Sequence, residues 1–95
     1  MNSIQFASLA NLPHTELCPR ILRLLNWRFH FYSDEGIEPP HIHVDTGDGE
    51  CKYWLEPVRL AKSRNITPIE LRRIEVVVFE RQQFFKEKWY EFFQH

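Results

Sequence analysis

The sequence predicts a small α+β domain in which a three-stranded antiparallel sheet, arranged as a meander, carries a short helix and a long C-terminal helix packed on one face. The chain has 95 residues, of which 43% are hydrophobic, so it can form one core but not two. Apolar and polar side chains alternate over much of residues 20–55, which is typical of strands. Residues 67–93 instead repeat with the period of a helix.

Residues 19–95 are expected to form this single domain, and residues 1–18 an N-terminal arm. Twelve basic and thirteen acidic residues give a formal charge of -1, so binding to RNA would need a local patch. No apolar stretch approaches the roughly 18 to 20 residues of a membrane span, and the start of the chain lacks the features of a secretory signal. Cys18 and Cys51 show no C-x-x-C spacing. We therefore expect a cytoplasmic protein that does not contact a membrane.

The strands are predicted in three segments. Alternation over residues 20–32 indicates one strand, bent or broken near Leu25 and Asn26. Residues 33–40 contain turn residues and two prolines, which exclude both a helix and a central strand. Residues 41–45 and 50–55 are the second and third strands, joined by a hairpin turn.

Two helices are predicted after the strands. Pro57 suits a first helical position and indicates a short helix to about Ser63. Thr67-Pro68-Ile69-Glu70 combines an N-cap hydroxyl, a first-turn proline and a carboxylate, so a long helix should begin there and continue to about Phe93. The expected core consists of Trp27, Phe29, Val44, Tyr53, Leu71, Ile74, Val78, Phe85 and Trp89.

The sheet face opposite the helices carries an unusual group of side chains. If His30 lies opposite His43, then imidazoles, a phenol, an ammonium group and an indole converge on this face. Because one layer of helices covers only one face, we expect this polar face to remain open to solvent or to a partner. Its other members are Arg28 opposite Asp45, Tyr32 opposite His41, and Glu50, Lys52 and Trp54 on the third strand.

His41 and His43 are candidate metal ligands. Two imidazoles two residues apart on a strand project from the same face, about 6.5 to 7 Å apart at the backbone, and both rings can turn onto one Zn, Ni or Fe ion. A third ligand is still required. Glu38, His30, Asp45 and Glu50 are the candidates for it.

The same imidazoles could instead transfer protons in RNA cleavage. That reaction needs a base, an acid and a cation beside the phosphate, and imidazole has a suitable pKa for both proton transfers. The residues for these roles are His30, His41 and His43 as acid and base, Arg28 and Lys52 as cations, and Tyr32 and Trp54 as stacking platforms.

Two further interpretations remain. In one, the polar face or an edge strand binds a partner protein, with Tyr32, Trp54 and Glu38 among the recognition groups. The aromatic residues of segment 84–93 support this interpretation, since they are too many for one buried stripe. In the other, the histidines only form cross-strand hydrogen bonds. A basic run could meet phosphates or the acidic segment 34–50 of another copy, or it could stay solvated; it comprises Arg59, Lys62, Arg64, Arg72 and Arg73.

Several segments also resemble a known family. They are Pro19-Arg20-Ile21-Leu22-Arg23, Arg28-Phe29-His30-Phe31-Tyr32-Ser33-Asp34-Glu35-Gly36, Glu38-Pro39-Pro40-His41-Ile42-His43-Val44, Glu50-Cys51-Lys52-Tyr53-Trp54-Leu55-Glu56-Pro57-Val58 and Glu70-Leu71-Arg72-Arg73-Ile74-Glu75. Over about residues 19–93 the chain is similar to the small bacterial "domain of unknown function 4160" family. Members are commonly encoded beside a "domain of unknown function 2442" protein, so the resemblance implies a toxin-antitoxin-like pair.

The sequence and the resemblance together favour a small interaction protein. It would be one component of a toxin-antitoxin-like pair and would bind a protein partner or form a homo-oligomer, with RNA as an eventual target. The alternative is a histidine-dependent ribonuclease or a metal-binding protein that uses His41-Ile42-His43. The cofactor that the sequence suggests is a divalent transition-metal ion.

Overall fold

The computed structural model describes residues 20–93, in which two helices pack against a five-stranded antiparallel sheet. The arm predicted over residues 1–18 lies outside the described residues. The strands lie in the sheet in chain order, so the sheet is a meander. The elements are β1 (Arg20–Leu24), β2 (Trp27–His30), β3 (His41–Asp45), β4 (Glu50–Leu55), β5 (Val58–Arg64), α1 (Pro68–Glu80) and α2 (Gln82–Phe93).

The α+β class is confirmed, but the prediction of three strands is wrong. Residues 20–32 form two strands, because Leu25 and Asn26 make a two-residue turn between Leu24 and its partner Trp27. Leu25 there has a φ of 56°, in the left-handed region. The break near Leu25 was predicted, whereas the reversal was not, since leucine seldom adopts this conformation.

The prediction of a short helix after Pro57 is also wrong. This segment forms β5, which pairs antiparallel with β4 so that Leu55 lies opposite Val58. Glu56 and Pro57 form the turn between the two strands, a position that suits the fixed φ of proline as well as a helix start does. Without β5 the edge of β4 would leave a row of backbone groups unpaired, and strand pairing satisfies them.

The helical segment begins where it was predicted to begin. The Thr67 hydroxyl accepts a hydrogen bond from the Glu70 N–H at 3.2 Å, and Pro68 is the first residue of α1. However, the segment is two helices and not one, since Arg81 has φ -109° and ψ 22°. The side chain of Gln82 donates to the Leu55 carbonyl at 2.6 Å and so ties this break to the end of β4.

The predicted core is confirmed. Phe29 lies opposite Val44 on one sheet face, and its ring stacks on Phe85 with 5.3 Å between ring centroids. The buried Tyr53 hydroxyl donates to the Leu71 carbonyl at 3.1 Å. Leu71 is half-buried against this cluster, and the other predicted core residues are buried in it.

The aromatic residues of segment 84–93 do exceed one buried stripe, as predicted. Phe85 and Trp89 are buried, whereas their neighbours Phe84 and Tyr90 are 38% and 52% exposed. Phe92 and Phe93 are both half-buried, and Phe93 packs on Trp89 with 4.2 Å between ring centroids. The outer surface of the helices therefore carries aromatic side chains that the domain itself does not cover.

Candidate functional site

The histidine face of the sheet has the predicted register, except that Tyr32, predicted opposite His41, lies beyond the end of β2. His30 lies opposite His43, and β4 places Lys52 opposite His43 and Trp54 opposite His41. The prediction that this face stays open is wrong. His41 is 0% and His43 3% exposed, because the loop between β2 and β3 folds over them.

Two consecutive turns bring this loop back over the sheet. The Glu35 N–H donates to the Tyr32 carbonyl at 3.2 Å, and the Glu38 N–H donates to the Glu35 carbonyl at 3.1 Å. Gly36 lies so close to the Phe93 ring that a Cβ at this position would collide with it. The end of α2 therefore packs against the loop, and Glu35 is held next to β3.

Glu35, His41 and His43 converge on one point. One carboxylate oxygen, Oε1 of Glu35, lies 2.7 Å from Nε2 of His41 and 2.7 Å from Nε2 of His43. The three atoms that could bind a metal all lie within 4.8 Å of one another. Two imidazole nitrogens and one carboxylate oxygen are a ligand set that Zn and Fe use in proteins.

The outer ring nitrogens have different surroundings. His41 Nδ1 lies 2.9 Å from the Pro39 carbonyl, which can only accept, so Nδ1 carries a hydrogen and Nε2 is the atom directed at Glu35. His43 Nδ1 is buried without a hydrogen-bond partner among residues 20–93. Glu50 Oε2 lies 3.6 Å from it and accepts a hydrogen bond from the Tyr32 hydroxyl at 2.9 Å.

Burial and hydrogen bonding set the charges in this cluster. Burial by itself would raise the pKa of Glu35, but its contacts with His41 and His43 outweigh burial and lower that pKa, so the carboxylate is ionised. Burial lowers the pKa of His43 despite the nearby Glu35. Burial also lowers the pKa of His30. An anionic oxygen thus faces a neutral His43 ring at neutral pH.

Arg28 and His30 lie beside the cluster and not within it. The Arg28 guanidinium forms an ion pair with Asp45 at 2.8 Å, in the predicted register. The His30 ring stacks on His43 with 5.7 Å between centroids, and its Nδ1 lies 3.3 Å from the Arg28 carbonyl. The cation predicted to contact phosphate at position 28 is therefore already paired with a carboxylate.

Lys52, Glu38 and Trp54 form a second group next to the cluster. The Lys52 ammonium lies 2.7 Å from Glu38 Oε1 and 4.6 Å from the centre of the Trp54 ring. The same Glu38 oxygen lies 3.7 Å from His41 Nδ1. Glu38 therefore sits on the outer side of His41, where it pairs with Lys52, and does not point at the Nε2 atoms.

Glu35 is the member of the cluster that sequence reasoning missed. None of the third ligands considered from the sequence belongs to the group that converges on His41 and His43. The segment Ser33-Asp34-Glu35-Gly36 indicated only a loop. Which loop residue returns to the sheet depends on the two turns at residues 32–38, and a chain reversal of this kind leaves no periodic pattern.

A cavity of about 340 Å³ opens beside the cluster. Glu35 and His43 form part of its wall, together with Glu50. The end of β5 supplies another part, including Lys62 and Arg64. The cavity thus connects two of the three clustered residues to solvent.

Cys51 faces the core and is unsuited to act as a nucleophile. It is buried on β4, and burial, with smaller contributions from the charges of Glu50 and Glu70, raises its pKa to about 12. Because the thiolate is the reactive form, a thiol with this pKa stays unreactive at neutral pH.

Comparison with protein families matches residues 26–90 to one family, described as a domain of unknown function (DUF4160). This range contains all the residues of the cluster and its cavity. Comparisons with curated proteins and with solved structures gave no match. Within residues 20–93, neither helix has the length and apolar character needed to cross a membrane. Since the match covers more than half of the chain, the protein belongs to the DUF4160 family.

Proposed function

We propose that this protein binds one divalent transition-metal ion through Glu35, His41 and His43. The observation that carries the proposal is the contact between Glu35 Oε1 and the Nε2 atoms of both histidines, each at 2.7 Å. His41 donates from Nδ1 to the Pro39 carbonyl and directs its Nε2 at an ionised carboxylate. A ring nitrogen and a carboxylate oxygen at this distance need a proton or a metal ion between them.

The ligand set is appropriate for such an ion. Two histidines and one carboxylate are the protein ligands of several catalytic zinc sites and of the facial triad of non-haem iron enzymes. Both kinds of site leave at least one coordination position for water or substrate. An ion at Glu35, His41 and His43 would therefore be suited to chemistry and not only to structural support.

The outer partners of the histidines support the same proposal. Metal-binding histidines usually donate their other ring N–H to a carbonyl or a carboxylate. For His41 that acceptor is the Pro39 carbonyl. A metal on Nε2 of His43 would place its hydrogen on Nδ1, which lies 3.6 Å from a Glu50 oxygen that Tyr32 holds in place. Metal binding would thus supply a role for the unpaired nitrogen.

The test is a zinc-binding measurement on the purified chain. We expect about one ion per chain by elemental analysis after dialysis, and loss of that ion to a chelator. The variants Glu35→Gln, His41→Gln and His43→Gln should each lower the affinity by more than the 10- to 100-fold that loss of an outer partner costs. Glu50→Gln, which alters an outer partner, should fall within the range of about 10- to 100-fold.

His30→Gln is the matched control. His30 is a buried histidine on the same face and stacks on His43, but it lies outside the converging group. This variant should bind zinc as the parent does. His14 and His95 are replaced by Gln in every protein compared, so that they cannot add binding sites. A parent chain that retains no ion, or triad variants that bind as tightly as the parent, would contradict the proposal.

We propose a second function, self-association through the helices, because of the exposed aromatic side chains there. Phe79 on α1 is 68% exposed, and Phe84 and Tyr90 on α2 are also exposed. Burying apolar surface recovers about 25 cal/mol per Å², which favours covering these rings with a second copy of the chain. The toxin-antitoxin-like role and the RNA target expected from the sequence and the family resemblance stay predictions.

Light scattering at micromolar concentration tests the second proposal, and a dimer is the expected result. Phe79→Lys combined with Tyr90→Lys should give a monomer, because the charges cannot be buried in an apolar contact. Leu25→Lys serves as the control, since Leu25 is an exposed apolar residue in the β1–β2 turn and belongs to neither helix. A monomeric parent chain would remove the support for self-association.

A further inference from the structure

The cavity lies on the open side of the Glu35, His41 and His43 cluster. The His41 ring is fully buried, with the Trp89 ring centroid 4.7 Å away and that of Trp54 5.6 Å away. Aromatic rings therefore close the cluster at His41. Glu35 and His43, by contrast, both line the cavity. A coordination position left free by three protein ligands would face this cavity.

We infer that the cavity binds the phosphate group of a small molecule, with one phosphate oxygen completing the coordination of the ion. This inference rests on the metal site proposed above and adds the class of ligand. Two features carry it: cationic side chains at the end of β5, and the size of the cavity.

The cations lie on the histidine face of the sheet. In the β4–β5 register Lys62 lies opposite Lys52, and Arg64 lies opposite Glu50. Both side chains therefore share the sheet face that carries His43. Lys62 makes no ion pair within residues 20–93. The Arg64 side chain is 72% exposed and its Nη2 lies 3.8 Å from Glu50 Oε1, a loose pair. Both cations can therefore turn toward an anion in the cavity.

A phosphate suits this arrangement better than a carboxylate does. A divalent ion, Lys62 and Arg64 would carry four positive charges against one negative charge on each of the carboxylates Glu35 and Glu50, so the cavity would keep a net charge of about +2. The three positive centres and this net charge match the three free oxygens and the double charge of a phosphate monoester. Arginine and lysine are both frequent phosphate-binding residues.

The size of the cavity indicates a small molecule. Its volume of about 340 Å³ lies near the lower end of ligand pockets, which span about 300 to 1,000 Å³. A phosphate with a short organic substituent fits that space, whereas a duplex nucleic acid would need an extended groove. We therefore assign the ligand as a small phosphate monoester, for which inorganic phosphate is a minimal probe.

The experiment is phosphorus NMR of inorganic phosphate with the cobalt-loaded protein. Co²⁺ is paramagnetic and broadens the phosphorus line only when phosphate lies within a few ångströms of it, so broadening reports binding next to the ion. Visible absorption measures Co²⁺ binding separately, and protein is kept in excess over Co²⁺. We expect broadening that saturates at one phosphate per bound ion.

The double variant Lys62→Gln, Arg64→Gln tests the role of the cations. Its affinity for phosphate should fall by about tenfold or more, since charge-assisted contacts are lost, while Co²⁺ binding stays unchanged. Arg59→Gln is the matched control, because Arg59 lies on β5 but not in the wall of this cavity. It should leave both measurements unchanged.

The outcomes separate this inference from the proposed function. A parent protein that binds Co²⁺ but leaves the phosphorus line sharp would overturn the phosphate inference and keep the metal site. A double variant that binds phosphate as tightly as the parent would overturn it as well, since these cations carry the argument. A parent protein that binds no Co²⁺ would overturn both.

Discussion

Replacing Phe29 with Ala is expected to lower the free energy of unfolding by about 3 to 5 kcal/mol, the usual cost of truncating a buried aromatic side chain. Phe29 is fully buried on β2, and its ring stacks on Phe85 of α2. Truncation would leave a cavity between the sheet and α2. Since domains of this kind are usually stable by about 5 to 15 kcal/mol, much of the stability would be lost. Urea denaturation followed by tryptophan fluorescence measures the change.

Phe84→Ala is the control for this experiment. This variant also removes a phenylalanine ring, but Phe84 lies on α2 next to Phe85 and is 38% exposed. The expected cost is no more than about 1 kcal/mol, because surface positions contribute little. Equal losses in the two variants would show that Phe29 is not at the centre of the core.

Replacing Gly49 with Ala should be destabilising for a different reason, namely a collision with the backbone. A Cβ at Gly49 would overlap the carbonyl oxygens of Arg64 and Asn65 at the end of β5. Main-chain atoms cannot move aside as a flexible side chain can, so we expect a loss of about 3 kcal/mol, at the upper end of overpacking costs. Because Glu50 is the next residue, metal affinity should fall in the same variant.

Gly47→Ala in the same turn is the matched control. Gly47 has a φ of 95°, but no atom lies within 4 Å of the position of an added Cβ. The variant therefore bears only backbone strain, of about 1 kcal/mol. Denaturant unfolding measures the free energy of unfolding of both variants. A Gly49→Ala chain that is no less stable than the Gly47→Ala chain would contradict the close approach of the end of β5 to Gly49.

The sheet face and its register could be predicted from the sequence. Alternation placed Phe29 and Val44 on the core side and His30, His41 and His43 on the other, and the structure has these faces. The helix N-cap at Thr67 could also be predicted from the sequence, because it involves only residues three positions apart. Signals of this kind are carried by neighbouring residues and do not depend on the rest of the fold.

The predictions of secondary structure failed at segments whose conformation depends on contacts with residues far away in the chain. Pro57 suited a helix start, yet the following residues pair with β4 because that strand needed a partner. The helical period of residues 67–93 did not reveal the break at Arg81, which is anchored by the bond from Gln82 to Leu55 across 27 positions. In both places, contacts remote in sequence outweigh a local preference.

The sequence by itself determined that His41 and His43 share one face of a strand, since the period of a strand is a property of the backbone. It could not determine that Glu35 is their partner. Two turns fold the β2–β3 loop over the sheet, the end of α2 packs against Gly36, and only then does the Glu35 carboxylate reach both rings. Burial of the face and convergence of the three ligand atoms are therefore consequences of tertiary packing, whose free energy comes from residues far apart in the chain.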